Sequence, residues 1–439
     1  MAKEITQKVH LVSLGCPKNT VDSERMLGLL DGNSYQITEQ PEHADVVIVN
    51  TCGFIGPAKE ESIDAVMAAH RLKEEGRCKG VIVTGCLATR YEQELRAEMV
   101  EADALLTIDQ EVEVVDKVDR ILNNPRRRKT LNTLRKSLTP DHWSYLRISD
   151  GCDHKCAFCS IPAIRGPHKS ETVEDLLAEA ERLASAGVRE LVLISQDSVR
   201  YGSDLYGRPA LVNLLGQLEK VNGIEWIRLM YTYPAFWTEE MIEFFATSPK
   251  MCAYIDMPLQ HISDSVLRRM KRATTRQKTI DLLKLLRARI SDVGLRSTFI
   301  VGFPGETDED FEQLLEFVEE TRFDHLSGFI YSPEEGTSAF GLDAEVAEEV
   351  KEYRYSRLTQ LQERIATEIN DDLIGSRHMV LVDDRDEMGF YGRMQRDAPE
   401  IDGQVLIEKG KIEVGQFVEV EIVGADPFQL QAQVVGVPH

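Results

Sequence analysis

Gly151-Cys152-Asp153-His154-Lys155-Cys156-Ala157-Phe158-Cys159 places three cysteines at CxxxCxxC spacing on one short stretch. Thiols this close in sequence reach one metal centre from a single loop, and a set of three leaves a fourth coordination position without a protein ligand. Zinc sites more often pair two CxxC knuckles or add histidines, and closed iron–sulfur sites take four thiolates. The spacing therefore favours an open metal centre over a structural zinc knuckle in which His154 would be the fourth ligand.

Downstream of this loop the chain alternates strand and helix signals. Strand candidates, the first of them just before the loop, are Tyr145 to Ser149, Leu191 to Gln196, Trp226 to Tyr231, Ala253 to Met257, Leu295 to Gly302 and His325 to Tyr331. Thr172 and Asp175 open one intervening helix, apolar residues follow at Val173, Leu176, Leu177, Ala180, Leu183 and Ala184, and Gly187 suits its end. Six such units make a partial TIM-like (β/α)6 barrel, whose reacting groups belong at the carboxyl ends of the strands. The least ordinary residues fall there: Gln196-Asp197, Tyr231-Thr232-Tyr233, Pro258-Leu259-Gln260, Gly302-Phe303-Pro304-Gly305-Glu306 and Ser332-Pro333. The first strand runs directly into the cysteine loop, which puts the metal centre at the same mouth. The turn from Gly302 to Gly305 would let backbone approach a flat ligand, although tight strand-to-helix turns use Gly and Pro in any case. Thr307 with Asp310 opens the next helix as a capping box. A charge-rich helical segment between Ser338 and Asp371 is expected to lead away from the barrel with a solvated face.

Upstream, one pattern occurs three times. Val9 to Leu14 ends in Gly15-Cys16, Val46 to Asn50 in Thr51-Cys52, and Val81 to Thr84 in Gly85-Cys86, each followed by a helix-like segment: Asp22 to Leu30, Ala58 to Arg71 and Tyr91 to Met99. Short β-branched runs of this kind read as parallel strands buried on both faces of an open α/β sheet, and ligands of such sheets bind at the carboxyl edge. Cys16, Cys52 and Cys86 are thus expected to converge on a second centre, whereas Cys78 and Cys252 fit neither triad and read as packing residues. Between Arg120 and Lys136 there are seven Lys/Arg and no carboxylate, a surface linker whose run Arg126-Arg127-Arg128-Lys129 is solvated or salt-bridged more simply than it is an RNA contact.

The tail carries five short alternating strands, Met379 to Val382, Phe390 to Met394, Gln404 to Ile407, Phe417 to Ile422 and Leu430 to Val435, the pattern of a small OB-like barrel. From Gly375 to His439 it holds six Lys/Arg against twelve Asp/Glu. The chain of 439 residues, 42% apolar and 28% charged, reads as a globular protein of two to four domains. No apolar run has membrane-spanning length and Met1 to His10 shows no leader, so a cytoplasmic protein with reduced thiols is expected. A net charge of −23 argues against nonspecific nucleic-acid binding and suits a basic partner. On that ground the acidic turns Asp383, Asp384, Asp386, Glu387 and Asp397, Glu400, Asp402 are expected to steer such a partner towards the barrel mouth.

CxxxCxxC with an aromatic before the last cysteine resembles the motif of the radical S-adenosylmethionine (SAM) superfamily, and the whole chain resembles its methylthiotransferase branch. Within that branch Leu14-Gly15-Cys16-Pro17-Lys18-Asn19, Val21-Asp22-Ser23-Glu24 and Ala398-Pro399-Glu400-Ile401-Asp402-Gly403 are similar to the RimO subfamily. The resemblance implies an amino-terminal open parallel α/β domain over residues 1–122, a basic linker over 123–141, a radical SAM barrel over 142–374 and a TRAM domain over 375–439. It implies two 4Fe-4S clusters, one on Cys152, Cys156 and Cys159 that binds SAM and one on Cys16, Cys52 and Cys86 that carries the sulfur to be transferred. Phe158, Gln260, Gly302 and Gly305 would line the SAM pocket. The implied substrate is an aspartate β-carbon of ribosomal protein uS12, free or on the ribosome, and a one-electron donor and a sulfur source are implied as partners, with no membrane. A transfer RNA methylthiotransferase of the MiaB kind shares every cysteine and is the near alternative. A non-catalytic iron–sulfur electron carrier or scaffold is the distant one, since neither triad has an obvious fourth cysteine.

Overall fold

The computed structural model describes residues 7–123 and 135–435, so the run Arg126–Lys129 lies outside the described residues. The chain forms two compact units, one of residues up to Leu138 with Asp150–Asp153 and Ser160–Pro167, the other of Thr139–Ser149, His154–Cys159 and His168 onward.

The first unit is built on a five-stranded parallel sheet in the order Gln36–Ile37, Lys8–Ser13, Val46–Thr51, Gly80–Gly85, Ala104–Leu105. Successive side chains of a strand face opposite ways. Val46 and Ile48 therefore pack with Met26, Leu30, Val115 and Val118 on one face, while Val47 and Val49 pack with Val66 and Ala69 on the other. Helices on both faces leave every residue of the two central strands buried, which is why those strands read as unbroken apolar runs. The two outermost strands, of two residues each, carry no periodicity and were not foreseen. Cys78 is buried in this core, as a packing residue should be.

In the second unit the six expected strands are Trp143–Arg147, Glu190–Ile194, Trp226–Leu229, Tyr254–Asp256, Gly294–Val301 and His325–Ile330. They lie parallel and in sequence order, with the third and fourth joined through the Ile227–Met251 bridge. This is the partial barrel. Thr172 caps helix Val173–Ser185, and Thr307 with Asp310 forms the capping box of helix Asp308–Thr321. Helix Glu348–Asp372 corrects an expectation: it packs on strand His325–Ile330 and helix Asp308–Thr321 instead of leading away. Leu358 and Ile365, both fully buried, sit among charges that hid a narrow apolar stripe. Among the described residues no helix is long and apolar enough to cross a membrane.

The tail closes into a five-stranded barrel in the order Arg377–Arg385, Phe390–Arg393, Gln404–Ile407, Gln429–Val434, Phe417–Ala425. It docks on the amino ends of the barrel strands. Arg393 pairs with Glu190 at 2.8 Å and Asp383 at 2.6 Å, and Asp383 also meets His142 at 2.8 Å. Asp402 accepts from Tyr254 at 2.7 Å and Arg296 at 2.6 Å, Asp397 meets His325 at 3.1 Å, and Glu400 accepts from the Tyr145 hydroxyl at 2.6 Å. The expectation that these acidic turns steer a partner to the barrel mouth is therefore overturned for Asp383, Asp397, Glu400 and Asp402. Their carboxylates hold the tail to the opposite end of the strands; Glu400 makes its contact from an exposed position, and Asp384, Asp386 and Glu387 are exposed as well. In sequence, a carboxylate bound for a buried arginine looks the same as a solvated one.

Candidate functional site

The carboxyl ends of the three adjacent parallel strands bring Cys16, Cys52 and Cys86 together. Cys16 is the N-cap of helix Pro17–Gly32, Cys52 lies just ahead of helix Gly56–Glu74, and Cys86 opens helix Cys86–Arg90. Amide N–H groups at helix starts favour thiolates placed there. Burial pushes the Cys52 thiol up and the Cys86 thiol up to about 12; a charge on Cys16 raises both further, and Arg165 pulls both back. That mutual influence is what proximity of the three sulfurs produces.

The backbone before the cysteines has no room for a side chain. Gly15 lies at φ +92°, where a Cβ would stand 2.9 Å from Cys52 Cβ, and Gly85 lies at φ +93°, where one would stand 2.5 Å from Thr51 O. Asn19 stitches the strand ends together: its amide donates to Leu14 O and Thr51 O, each at 3.0 Å, and its Oδ1 accepts from Cys86 Sγ at 3.4 Å. Asn50 donates to Asn19 O and Ser23 Oγ at 2.9 Å, and Ser62 Oγ accepts from Cys52 N at 2.9 Å. Glu24, fully buried, accepts from Arg135 Nε at 3.0 Å and Leu138 N at 2.8 Å and so anchors residues 135–138.

On the other triad, Cys152 is buried and its N–H donates to Gly166 O at 3.1 Å, while Cys156 and Cys159 are half-buried. Ala157 is pinned by Met270 O at 2.9 Å and Ala339 N at 2.8 Å, and Phe158 packs against a cluster containing Val266, Phe303 and Tyr331. His154 Nε2 donates to Asp197 Oδ2 at 2.6 Å, and the ring stacks on Tyr233 at 4.1 Å between ring centroids. Arg272 covers the other ring of this group, 4.1 Å from the Tyr233 centroid; it donates to Pro258 O at 2.6 Å and to Cys156 Sγ at 3.7 Å. Gln260 at φ +74° and Tyr231 at φ +60° are non-glycine residues in a strained region, both at strand carboxyl ends. Gly302 and Phe303 donate their N–H groups to the Glu306 carboxylate. The space a Cβ would take at Gly302 is filled by Lys351, and at Gly305 by Arg269, so these two glycines make room for protein side chains.

All-sulfur donor sets select iron–sulfur clusters or zinc. Among the described residues no three His, Cys, Asp or Glu side chains are gathered closely enough for a single metal ion, and His154 joins no such group. In the first unit the donor set Cys16, Cys52 and Cys86 is three sulfurs, a chemistry that suits the irons of a cluster, each thiolate of a cubane bonding a different iron. Arg165, Arg272 and Ser62 are the polar neighbours that sequence reading missed; a lone Arg or Ser at unremarkable spacing gives no signal.

Three family profiles match the chain: Uncharacterized protein family UPF0004 over residues 8–107, the Radical SAM superfamily over 146–318 and the TRAM domain over 374–435. The chain is 44% identical to the ribosomal protein uS12 methylthiotransferase RimO of Clostridioides difficile, over 98% of this chain and 99% of that protein. The chain belongs to the RimO family. A relative of the same name from Pelotomaculum thermopropionicum is likewise 44% identical over 98% of this chain and 99% of its own. Among solved structures, the radical SAM methyltransferase TsrM from Kitasatospora setae superposes with a TM-score of 0.54 over 74% of each chain at 13% identity, a likeness of fold alone. As a RimO-family radical SAM methylthiotransferase the chain works with two 4Fe-4S clusters and SAM.

Proposed function

We propose that the protein inserts a methylthio group at the β-carbon of an aspartate of ribosomal protein uS12. The meeting of Cys16, Cys52 and Cys86 at one sheet edge, in a chain that also carries the CxxxCxxC barrel, is the observation that supports methylthio transfer over radical chemistry without sulfur insertion. The choice of uS12 follows the relatives' names; the tail's acidity no longer supports it, because much of that acidity is spent on docking.

Cys16, Cys52 and Cys86 would hold one cluster and Cys152, Cys156 and Cys159 the other. When bound, these clusters and SAM supply the one-electron cleavage, the sulfur and the methyl group that the reaction needs. No side chain could replace them, because a proton on an unactivated carbon lies far outside the range of amino-acid bases. The chain's own residues position and shield. His154, held by Asp197 and Tyr233, fixes the cysteine loop on the barrel, and Arg272 places a cationic N–H on Cys156 Sγ. Phe158 and Gln260 line the SAM side of the mouth in this reading, and Gly302 and Gly305 could meet SAM only through their backbone, since Lys351 and Arg269 occupy the space beside their Cα atoms. Domain limits at 1–122, 142–374 and 375–439, with a linker over 123–141, belong to the same proposal.

Separating the triads tests it. Replacing Cys152, Cys156 and Cys159 by Ala should abolish release of 5′-deoxyadenosine from anaerobically reconstituted enzyme, whereas replacing Cys16, Cys52 and Cys86 should leave some release and stop methylthio transfer to uS12. Methylthio-aspartate formed by the second variant, or transfer RNA modified efficiently by the unaltered enzyme, would overturn the reading.

A further inference from the structure

We infer that Arg165 tunes the cluster held by Cys16, Cys52 and Cys86, by donating a charge-assisted hydrogen bond to the Cys86 sulfur that holds the cluster's reduction potential above the value the thiolates alone would set. The inference rests on the proposal that these three cysteines hold a cluster, and adds to it a residue from a different stretch of chain.

Arg165 ends the short helix Ile161–Arg165, six residues after Cys159, and its side chain is 1% exposed. Nη1 donates to Asp150 Oδ2 at 2.9 Å; Nη2 donates to Asn19 Oδ1 at 2.7 Å and Asp22 Oδ2 at 2.8 Å, and reaches Cys86 Sγ at 3.7 Å. Burial disfavours the cation, but Asp22 and then Cys86 and Asp150 outweigh that and hold the guanidinium charged. A buried arginine is costly unless its N–H groups are paired, so this constellation fixes the fork firmly.

Its role is not simple neutralisation. Two carboxylates already offset the single positive charge, so the site around the thiolates gains no net positive charge from the group. What survives is direction: Nη2, whose two N–H bonds serve Asn19 and Asp22, also turns one of them towards a ligand sulfur as the longer branch of a shared contact. Hydrogen bonds to the sulfurs of an iron–sulfur cluster draw electron density from the metal and favour the reduced form. A thiolate sulfur is a stronger hydrogen-bond acceptor than a neutral one, so a contact to a ligand sulfur is charge-assisted on both sides. A purely structural clasp between helix Pro17–Gly32 and Ser160–Pro167 would contribute to stability and leave the potential alone, which separates the two roles experimentally. Asn19 and Asp22, both inside the motifs that mark the family, then act as the groups that aim the arginine.

Full-length enzyme with Cys152, Cys156 and Cys159 replaced by Ala carries only the amino-terminal cluster, and its one-electron reduction by dithionite can be followed by EPR without overlap. In that background Arg165→Gln is expected to shift the midpoint potential to more negative values at unchanged iron content. Equal potentials at equal iron would overturn the inference. Should Arg165→Gln fail to load, the arginine-containing background grown with 15N-arginine decides: pulsed EPR of the reduced cluster is expected to show a 15N coupling that Arg165→Lys abolishes, and absence of that coupling would overturn the inference too. Absence of any iron in the background protein would instead remove the cluster reading on which the inference stands.

Discussion

Gly85 sets how closely the amino-terminal cysteines can be approached by their own backbone. It combines φ +93° with a neighbouring strand whose atoms occupy the place of a Cβ. Gly85→Ala is therefore expected to cost about 1–3 kcal/mol through backbone strain alone and to displace Cys86 from the other two sulfurs. Iron determination should find one cluster missing while SAM cleavage persists; a variant with full iron would show that the strand ends tolerate more movement than the packing allows. At this scale the sequence was informative where chemistry is written in spacing. Six cysteines announced themselves by a short motif and by a repeated strand-end position. Arg165 did not, because its partners Asn19, Asp22, Cys86 and Asp150 are assembled only by folding.

The elements were legible wherever a period was clean. Strands of the amino-terminal sheet and of the partial barrel were expected within a few residues of where they lie, since valine and isoleucine runs leave few alternatives. Helix Glu348–Asp372 was placed wrongly because its apolar stripe is thin, and the tail's carboxylates were misread because a buried ion pair has no sequence signature. That docking surface now carries two predictions. Arg393, 3% exposed, is shared by Glu190 and Asp383. Arg393→Met leaves the fully buried Glu190 with Arg228 alone and the half-buried Asp383 with His142 alone, and is expected to cost roughly 3 kcal/mol in denaturant unfolding. Arg289→Ala, which breaks exposed pairs with Glu239 and Glu243, should barely register; equal costs for the two would contradict the burial argument.

The second prediction at this surface concerns pH. Burial acts to lower the pKa of His325, but Asp402 and Asp397 outweigh it and hold the folded value above the ordinary one. A raised histidine contributes stability that is fully present below its unfolded pKa of about 6.5 and is lost as pH rises through the higher folded value. The Tm difference between wild type and His325→Gln is thus expected to be largest in mild acid and to shrink as the solution becomes alkaline. Asp383 and Asp402 work in the other direction: burial raises them, yet His142 and Arg393 for the former, and His325 and Arg296 for the latter, hold both below the usual carboxylate value. Their contribution is present above that value and is lost as pH falls through the lowered one. A Tm difference independent of pH would show that His325 is held by packing and not by charge.

For the whole molecule, the order of parts was readable from the sequence: an open parallel sheet, a six-stranded partial barrel and a five-stranded closed barrel. The end of the barrel on which the tail sits was not, because strand periodicity fixes which residues face inward and says nothing of which rim a following module meets. With the tail on the amino ends of the barrel strands, its docking ion pairs lie away from the carboxyl ends of those strands. The central claim is methylthio transfer to one aspartate of uS12. Mass spectrometry of uS12 and of transfer RNA from cells with and without this protein tests it most directly. The expected result is a uS12 peptide that carries one methylthio group in place of one hydrogen on a single aspartate, lost when the protein is absent and restored by wild type but not by the Cys16, Cys52, Cys86 triple variant. An unchanged uS12 peptide, with loss of a methylthio group from transfer RNA instead, would contradict it.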